Sequence, residues 1–215
     1  LLWFANQRAV EYHVTLFRGE DWEHPTHAVL DLDPPSGDDF GVAVRAAVLV
    51  RETLGAAGLQ GAVKTSGAKG LHVYVPLAGD SVEDVAAATR AVAVRAERLD
   101  PALTTTAFVR EERGGKVFLD STRAGGATVV AAYSPRARPG VPVSFPVAWS
   151  DLDRITPRDF TVRTAVAALG EGDPWAAMMP APQRLPADLV AEGHEIPIAR
   201  VAAMHAGKRR KRAQS

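Results

Sequence analysis

Apolar residues along the chain fall into short strand-like runs and longer stretches of helical spacing, with Gly and Pro at the joins. His27 to Leu32 (HAVLDL) is an apolar, strand-like run. It is stopped by Pro34 and Pro35, neither of which has an N–H to give to a ladder, and it predicts a strand. Asp38 or Asp39 is placed to cap the helix that follows. Its apolar positions Phe40, Val44, Ala47, Val48 and Leu54 keep helical spacing, and Gly55 and Gly58 mark its end. Ala62 to Thr65 and Leu71 to Pro76 then predict a hairpin around the turn Ser66-Gly67-Ala68-Lys69-Gly70. Ser81 has the character of an N-cap, Glu83 and Asp84 fall in the first turn, and an alanine-rich helix runs from there to Leu99 and closes at Pro101. Lys116 to Asp120 (KVFLD) and Ala127 to Ala132 (ATVVAA) predict two further strands around Gly125-Gly126, and Val162 to Leu169 predicts a last short helix. The packed body is expected from about Trp3 to Leu169. Beyond it Pro174, Pro180, Pro182, Pro186 and Pro197 cut the chain into short pieces that wrap over the body. This order of elements predicts an α+β fold, a sheet with helices on one side.

Composition narrows the class. A chain of 215 residues that is 47% hydrophobic can bury a sizeable core as one domain. With 23% charged residues, it has no apolar run near the roughly 18 to 20 residues needed to cross a bilayer, so no transmembrane helix is predicted. No secretory signal is expected. The absence of cysteine excludes a disulfide scaffold and a thiolate zinc site and suits a cytosolic protein, so any metal must sit on oxygen or imidazole. The 25 basic and 25 acidic residues include the run Lys208, Arg209, Arg210, Lys211, Arg212, without which 20 basic face 25 acidic. That run reads as a solvated end adding salt-sensitive affinity for a polyanion. A nucleic-acid binder of this composition needs locally concentrated charge. Arg110, Arg113, Lys116, Arg123, Arg136 and Arg138 provide it against Glu111, Glu112 and Asp120.

The sharpest chemical feature is Asp31 and Asp33. Strand alternation sends both carboxylates to one face and Leu30 and Leu32 to the other. Held about 5 Å apart at an effective dielectric near 20, the two charges repel by roughly 3 kcal/mol, so one is protonated or a cation sits beside them. A hard divalent metal is one solution, and strand-end capping before the prolines is the structural alternative. Lys64 to Pro76 (KTSGAKGLHVYVP) adds two glycines that let backbone N–H groups approach a ligand. It also supplies Ser66, Lys69 and His72, polar groups suited to phosphate. Asp120, at the end of its strand, is a third carboxylate that reaches the pair if the strands are neighbours. Arg136 and Arg138 are candidates for triphosphate or backbone phosphate contacts, with plain surface charge as the alternative.

These residues carry a family resemblance. WFAN with EYH (Trp3 to Asn6, Glu11 to His13), VLDLDPP (Val29 to Pro35), KTSGAKGLHVYVPL (Lys64 to Leu77), KVFLD (Lys116 to Asp120) and GATVVAAYSPRARPGVPVSFPVAW (Gly126 to Trp149) occur in family order. Together they resemble the polymerase domain of the bacterial end-joining DNA ligase D family, in the archaeo-eukaryotic primase superfamily. The resemblance implies a primase-polymerase-like core with a mostly antiparallel central sheet flanked by helices. It implies template-directed nucleotidyl transfer with Mn2+ or Mg2+, in which Asp31, Asp33 and Asp120 are the catalytic and metal carboxylates. Ser66, Lys69, His72 and Arg138 become contacts to the incoming NTP or dNTP, and Arg113 and Arg136 nucleic-acid contacts. It further implies a preference for ribonucleotides, DNA with gaps or broken, 5'-phosphorylated ends, association with Ku and a DNA ligase, no membrane, and a bacterial cytoplasmic, nucleoid-associated setting. The domain division expected is a catalytic domain over 1–170, a Pro-rich extension packing on it over 171–207 and a basic tail over 208–215.

Two departures qualify the carry-over. Family members have a segment before WFAN that grips template and 5'-phosphate, so a chain beginning at Leu1 is expected to be a fragment or to have lost that lobe. Ser121 to Thr128 (STRAGGAT) lacks the Asn or Gln expected after the third aspartate. The alternative reading is a catalytically impaired nucleic-acid or partner-binding module that retains the fold. A metal phosphohydrolase built on Asp-x-Asp ranks last, because Lys69, Arg136 and Arg138 then lack a triphosphate partner.

Overall fold

A computed structural model of the chain describes residues 2–37 and 39–198. Asp38 and the basic run Lys208 to Arg212 therefore lie outside the described residues. The elements in order are α1 (Leu2–Asn6), β1 (His13–Val14), β2 (His27–Asp33), α2 (Phe40–Ala56), β3 (Ala62–Thr65), β4 (Leu71–Pro76), α3 (Val82–Leu99), β5 (Thr104–Thr105), β6 (Val117–Asp120), β7 (Val129–Val130), β8 (Pro146–Val147), α4 (Ala165–Leu169), α5 (Pro174–Met178) and α6 (Ala187–Glu195). Single turns of tighter helix occur at Arg110–Glu112, Thr122–Gly125 and Pro157–Asp159.

Six strands form one sheet in the order β5-β6-β2-β4-β3-β8. Every neighbouring pair is antiparallel except β5 with β6. Period-two alternation divides the residues of the central strands between two faces. Ala28, Leu30 and Leu32 of β2, Leu71, Val73 and Val75 of β4, and Val117 and Leu119 of β6 join the main core. The same core holds Ala43, Ala46, Ala47, Val50 and Leu54 of α2 and Val85, Ala88, Val92 and Ala96 of α3, so these helices cover that face. The many alanines let helix backbones lie close to the sheet, while each buried Val or Leu contributes about 1.5 to 3 kcal/mol of burial. The opposite face carries Val29, Asp31, Asp33, His72, Tyr74, Phe118 and Asp120, and there Val29 and Tyr74 pack with Leu16 and Val129 in a smaller cluster.

The mostly antiparallel sheet flanked by helices is the α+β architecture the sequence predicts. The Ser81 hydroxyl accepts the Asp84 N–H at 3.2 Å as the N-cap of α3. Asp39 occupies the N-cap of α2 but makes no side-chain cap bond. Val48, counted on the apolar face of α2, is half exposed, because the face set by Ala43, Ala47, Val50 and Leu54 turns it outward. The strand expected over Ala127 to Ala132 shrinks to Val129–Val130. It leaves the main sheet to pair with His13–Val14 in a separate two-stranded ribbon, since the Gly125-Gly126 turn carries the chain out of the sheet plane. The short helix expected from Val162 begins only at Ala165. Past residue 180, α6 packs against α3, burying Leu189 in the main core. Arg95 and Arg98 of α3 hold Glu192 of α6 at 2.7 and 3.0 Å.

Candidate active site

Strand register sets a polar row across the sheet's open face. Lys64 of β3 lies opposite His72 of β4, His72 opposite Asp31 of β2, and Asp31 opposite Asp120 of β6. Side chains directly opposite in antiparallel strands stand about 4.5 to 5.5 Å apart, so the row is a chain of neighbours. Asp33 is two residues beyond Asp31 on the same face.

The row starts in the interior. Lys64 is 1% exposed, and its Nζ donates to Ser144 Oγ at 2.6 Å and lies 2.9 Å from His72 Nδ1. Burial pushes its ammonium down to about 7, against the pull of Asp31 in the other direction. His72 turns Nε2 to within 3.3 Å of Asp31 Oδ1. Burial, with Lys64 beside it, pushes the imidazole down to about 4, so the ring is neutral near pH 7. The neighbours assign the tautomer: Nδ1 accepts from Lys64 and Nε2–H faces Asp31. Burial alone would raise the Asp31 carboxyl, but His72 and Arg123 overcome that and hold it below the usual carboxylate range. With His72 neutral, its share comes through its N–H, and Arg123 supplies the charge.

Arg123, on the turn after β6, sets one nitrogen, Nη2, 2.8 Å from Asp31 Oδ2 and 2.9 Å from Asp120 Oδ2. The other Asp120 oxygen accepts from Thr122 N–H at 2.9 Å and Thr122 Oγ1 at 2.6 Å. At the outer end, Lys69 Nζ lies 3.1 Å from Asp33 Oδ1 and donates to the Pro34 carbonyl at 2.5 Å. Arg113 donates to Asp33 Oδ2 at 3.4 Å. It is fixed by the carbonyls of Ala107 and Phe108, and its guanidinium stacks 3.8 Å over the Phe118 ring.

The turn that carries Lys69 has little freedom. Ser66 Oγ accepts the N–H groups of Ala68 and Gly70, both at 3.2 Å. Gly67 has φ +67, and a Cβ there would crowd Arg136 and Ser144, while a Cβ on Gly70 would run into the Leu32 carbonyl of β2. Arg136 braces the turn from outside: Nη1 donates to the Ser66 carbonyl at 2.6 Å and Nε lies 3.0 Å from Glu11 Oε1. Arg138 lines a cleft of about 540 Å³ with Lys69 and Arg158. Lys69 also borders a second hollow of about 280 Å³ with Asp33, Arg110, Arg113 and Lys116.

The structure thus brings Asp31, Asp33, Asp120, His72, Lys69 and Arg113 to one face, with Ser66 inside the turn and Arg138 in the adjoining cleft. Arg136 is spent on Ser66 and Glu11. Sequence pattern gives Lys64 no role of its own and places Arg123 only among the basic residues between Thr105 and Gly140. Lys64 was findable from its position opposite His72 in the predicted hairpin, whereas nothing before the strand register pointed Arg123 at Asp31. Among the described residues no three acidic or imidazole groups close on a common point. Asp31 and Asp120 close on Arg123 instead. Hard oxygen donors directly opposite one another, already bridged by a cationic nitrogen, fit a divalent cation once that nitrogen gives way.

An antiparallel sheet with carboxylates on its open face and cationic clefts beside them suits a protein that handles phosphate-bearing substrates. The chain belongs to the LigD primase-polymerase domain family, which it matches over residues 1–175, a family of DNA-directed nucleotidyltransferases. The bifunctional non-homologous end joining protein LigD of Bacillus subtilis (strain 168) is 35% identical over 170 residues, covering 77% of this chain and 28% of its own length. The multifunctional non-homologous end joining DNA repair protein LigD of Mycobacterium tuberculosis (strain ATCC 25618 / H37Rv) is 39% identical over 163 residues, 71% of this chain and 22% of its own. Among solved structures, the polymerase domain from Mycobacterium tuberculosis ligase D in complex with DNA superimposes with a TM-score of 0.73 at 32% identity, covering 82% of this chain and 65% of that one. The chain therefore spans less than a third of these two curated relatives. Among the described residues no helix is long and apolar enough to cross a membrane.

Proposed function

We propose that this chain adds nucleotides, with a preference for ribonucleotides, to template-paired DNA ends at gaps or breaks bearing a 5'-phosphate, as the polymerase part of bacterial non-homologous end joining. One observation carries the reading: Asp31 and Asp120 directly opposite, with Asp33 on the same face, bordered by clefts in which Lys69, Arg113 and Arg138 concentrate positive charge. The domain name of the matched family and the solved relative's complex with DNA support it.

In this reading Asp31, Asp33 and Asp120 hold Mn2+ or Mg2+. Ions held by these carboxylates would supply charge to lower the pKa of the primer 3'-hydroxyl and to neutralise the departing pyrophosphate. Lys69 and Arg138 bind the triphosphate from the two sides of the turn, Ser66 keeps the turn's shape and offers its hydroxyl, and His72 presents Nε2–H beside Asp31. Arg113 steers Asp33 and meets the nucleic acid, while Arg136 reaches it through the turn it braces. The catalytic unit is assigned to residues 1–170, the Pro-rich extension to 171–207, of which the described part to residue 198 packs on the body through α6, and electrostatic affinity for DNA to the basic tail 208–215. Ku and a DNA ligase are its partners, and its setting is the bacterial cytoplasm at the nucleoid.

The test is primer extension on a gapped, 5'-phosphorylated duplex with Mn2+, comparing ribonucleotides with deoxynucleotides and wild type with Asp31→Ala. Extension favouring ribonucleotides is expected, abolished by Asp31→Ala with the circular dichroism spectrum unchanged. Extension that persists in Asp31→Ala removes the carboxylate from the chemistry. A second reading, a binding module that retains the fold, is favoured by the Arg123 nitrogen set between Asp31 and Asp120. It predicts DNA binding with no addition under any divalent cation.

A further inference from the structure

Arg123 is placed differently from the other cations of the site. Lys69 and Arg113 approach Asp33 from its flanks and each also holds a backbone carbonyl. Arg123 Nη2 is bonded to two carboxylates at once, on strands whose Asp31 and Asp120 face each other across the ladder. A cation bridging those two oxygens would need the space that this nitrogen fills. The guanidinium is otherwise lightly held: its Nε is buried without a hydrogen-bond partner among the described residues. Thr122, one residue earlier, is tied to the far oxygen of Asp120, so the turn stays anchored whether or not the Arg123 side chain remains in place.

We propose that Arg123 is a built-in counter-ion. It bridges Asp31 and Asp120 and holds them together while the site lacks a divalent cation, and it must be displaced when one binds, so it sets the site's metal affinity. The inference rests on the reading of Asp31 and Asp120 as metal ligands. Two like charges held about 5 Å apart repel, and the Arg123 nitrogen relieves that repulsion as a metal would. Relief by a tethered group carries a consequence that relief by solvent does not: an incoming cation has to compete with a positive charge of effectively high local concentration.

The test measures Mn2+ binding to the nucleotide-free protein from the electron paramagnetic resonance signal of free Mn2+, so that catalysis is not the readout. The proteins compared are wild type, Arg123→Met, Arg123→Gln and Asp31→Asn. Removing the competing charge should tighten Mn2+ binding by at least about tenfold in both Arg123 variants. Those variants should also melt at lower temperature than wild type without metal, and recover more on adding Mn2+. If Arg123→Met does not fold, Arg123→Gln carries the comparison, since it preserves side-chain polarity without the charge. Affinity unchanged or weakened in the folded Arg123 variants overturns the role of Arg123. Asp31→Asn reports separately on the underlying reading: unchanged Mn2+ affinity there overturns the metal site itself. Loss of affinity there, with no gain in the Arg123 variants, overturns only the counter-ion.

Discussion

Lys64 buries an ammonium that makes no ion pair among the described residues and is satisfied by His72 Nδ1 and Ser144 Oγ, with the Tyr74 ring 5.6 Å away. Ser144 Oγ in turn donates to the Thr65 carbonyl at 2.7 Å, so the lysine is tied into the backbone of its own strand. A buried lysine costs stability wherever it is charged. Its folded value is about 7 against an ordinary 10.5, so between those limits the unfolded chain binds the extra proton and stability rises with pH. Urea unfolding at about pH 7 and about pH 9.5 should show wild type gaining on the order of a few kcal/mol more than Lys64→Met over that interval. Equal gains would mean the ammonium stays charged in the fold, held by Asp31 two positions along the row. At this scale the sequence was legible where alternation alone decides. Asp31 with Asp33, and His72 amid apolar neighbours, were visible as candidates from spacing. Lys64 was legible only through its place opposite His72 in the hairpin, because a lysine in a strand ordinarily marks a solvated face, and Arg123 was not, because its role depends on which strand lies beside β6.

The elements that sequence periodicity found are those long enough to show a period: β2, β4, α2 and α3, with the β3–β4 hairpin fixed by its turn chemistry. The two-residue strands β1, β5 and β8 carry no period to detect, and only long-range pairing makes them strands, while β7 keeps just two residues of the strand expected over Ala127 to Ala132. α6 escaped for another reason. A proline-rich segment reads as broken, yet Pro186 stands at the N-cap, where a missing N–H costs nothing, and the helix runs freely after it. That helix is integral to packing. Leu189 is fully buried between α6 and the core beneath α3, so Leu189→Ala should lower stability by about 2 to 5 kcal/mol, read as a shift in the urea midpoint. A change below about 0.5 kcal/mol, the range of surface substitutions, would mean that residues 187–195 are only draped over the body.

For the whole molecule, one sheet separates two environments. Helices α2 and α3 seal one face with apolar side chains. The other face gathers four ionisable groups in a single row, whose two facing carboxylates are compensated by the Arg123 guanidinium. The antiparallel order β6-β2-β4 makes this possible, because it brings Asp120, 87 residues along the chain from Asp33, directly opposite Asp31. Sequence order alone left that neighbour relation conditional. On the proposed function, divalent cations and the nucleotide's phosphates meet at this row. Anomalous diffraction from crystals soaked with Mn2+ and a non-hydrolysable ribonucleoside triphosphate tests it most directly. A manganese peak within coordination distance of Asp31 and Asp120 is expected, with Arg123 swung away and the triphosphate beside Lys69. A manganese peak remote from these carboxylates, or Arg123 still bridging them with nucleotide bound, would contradict it.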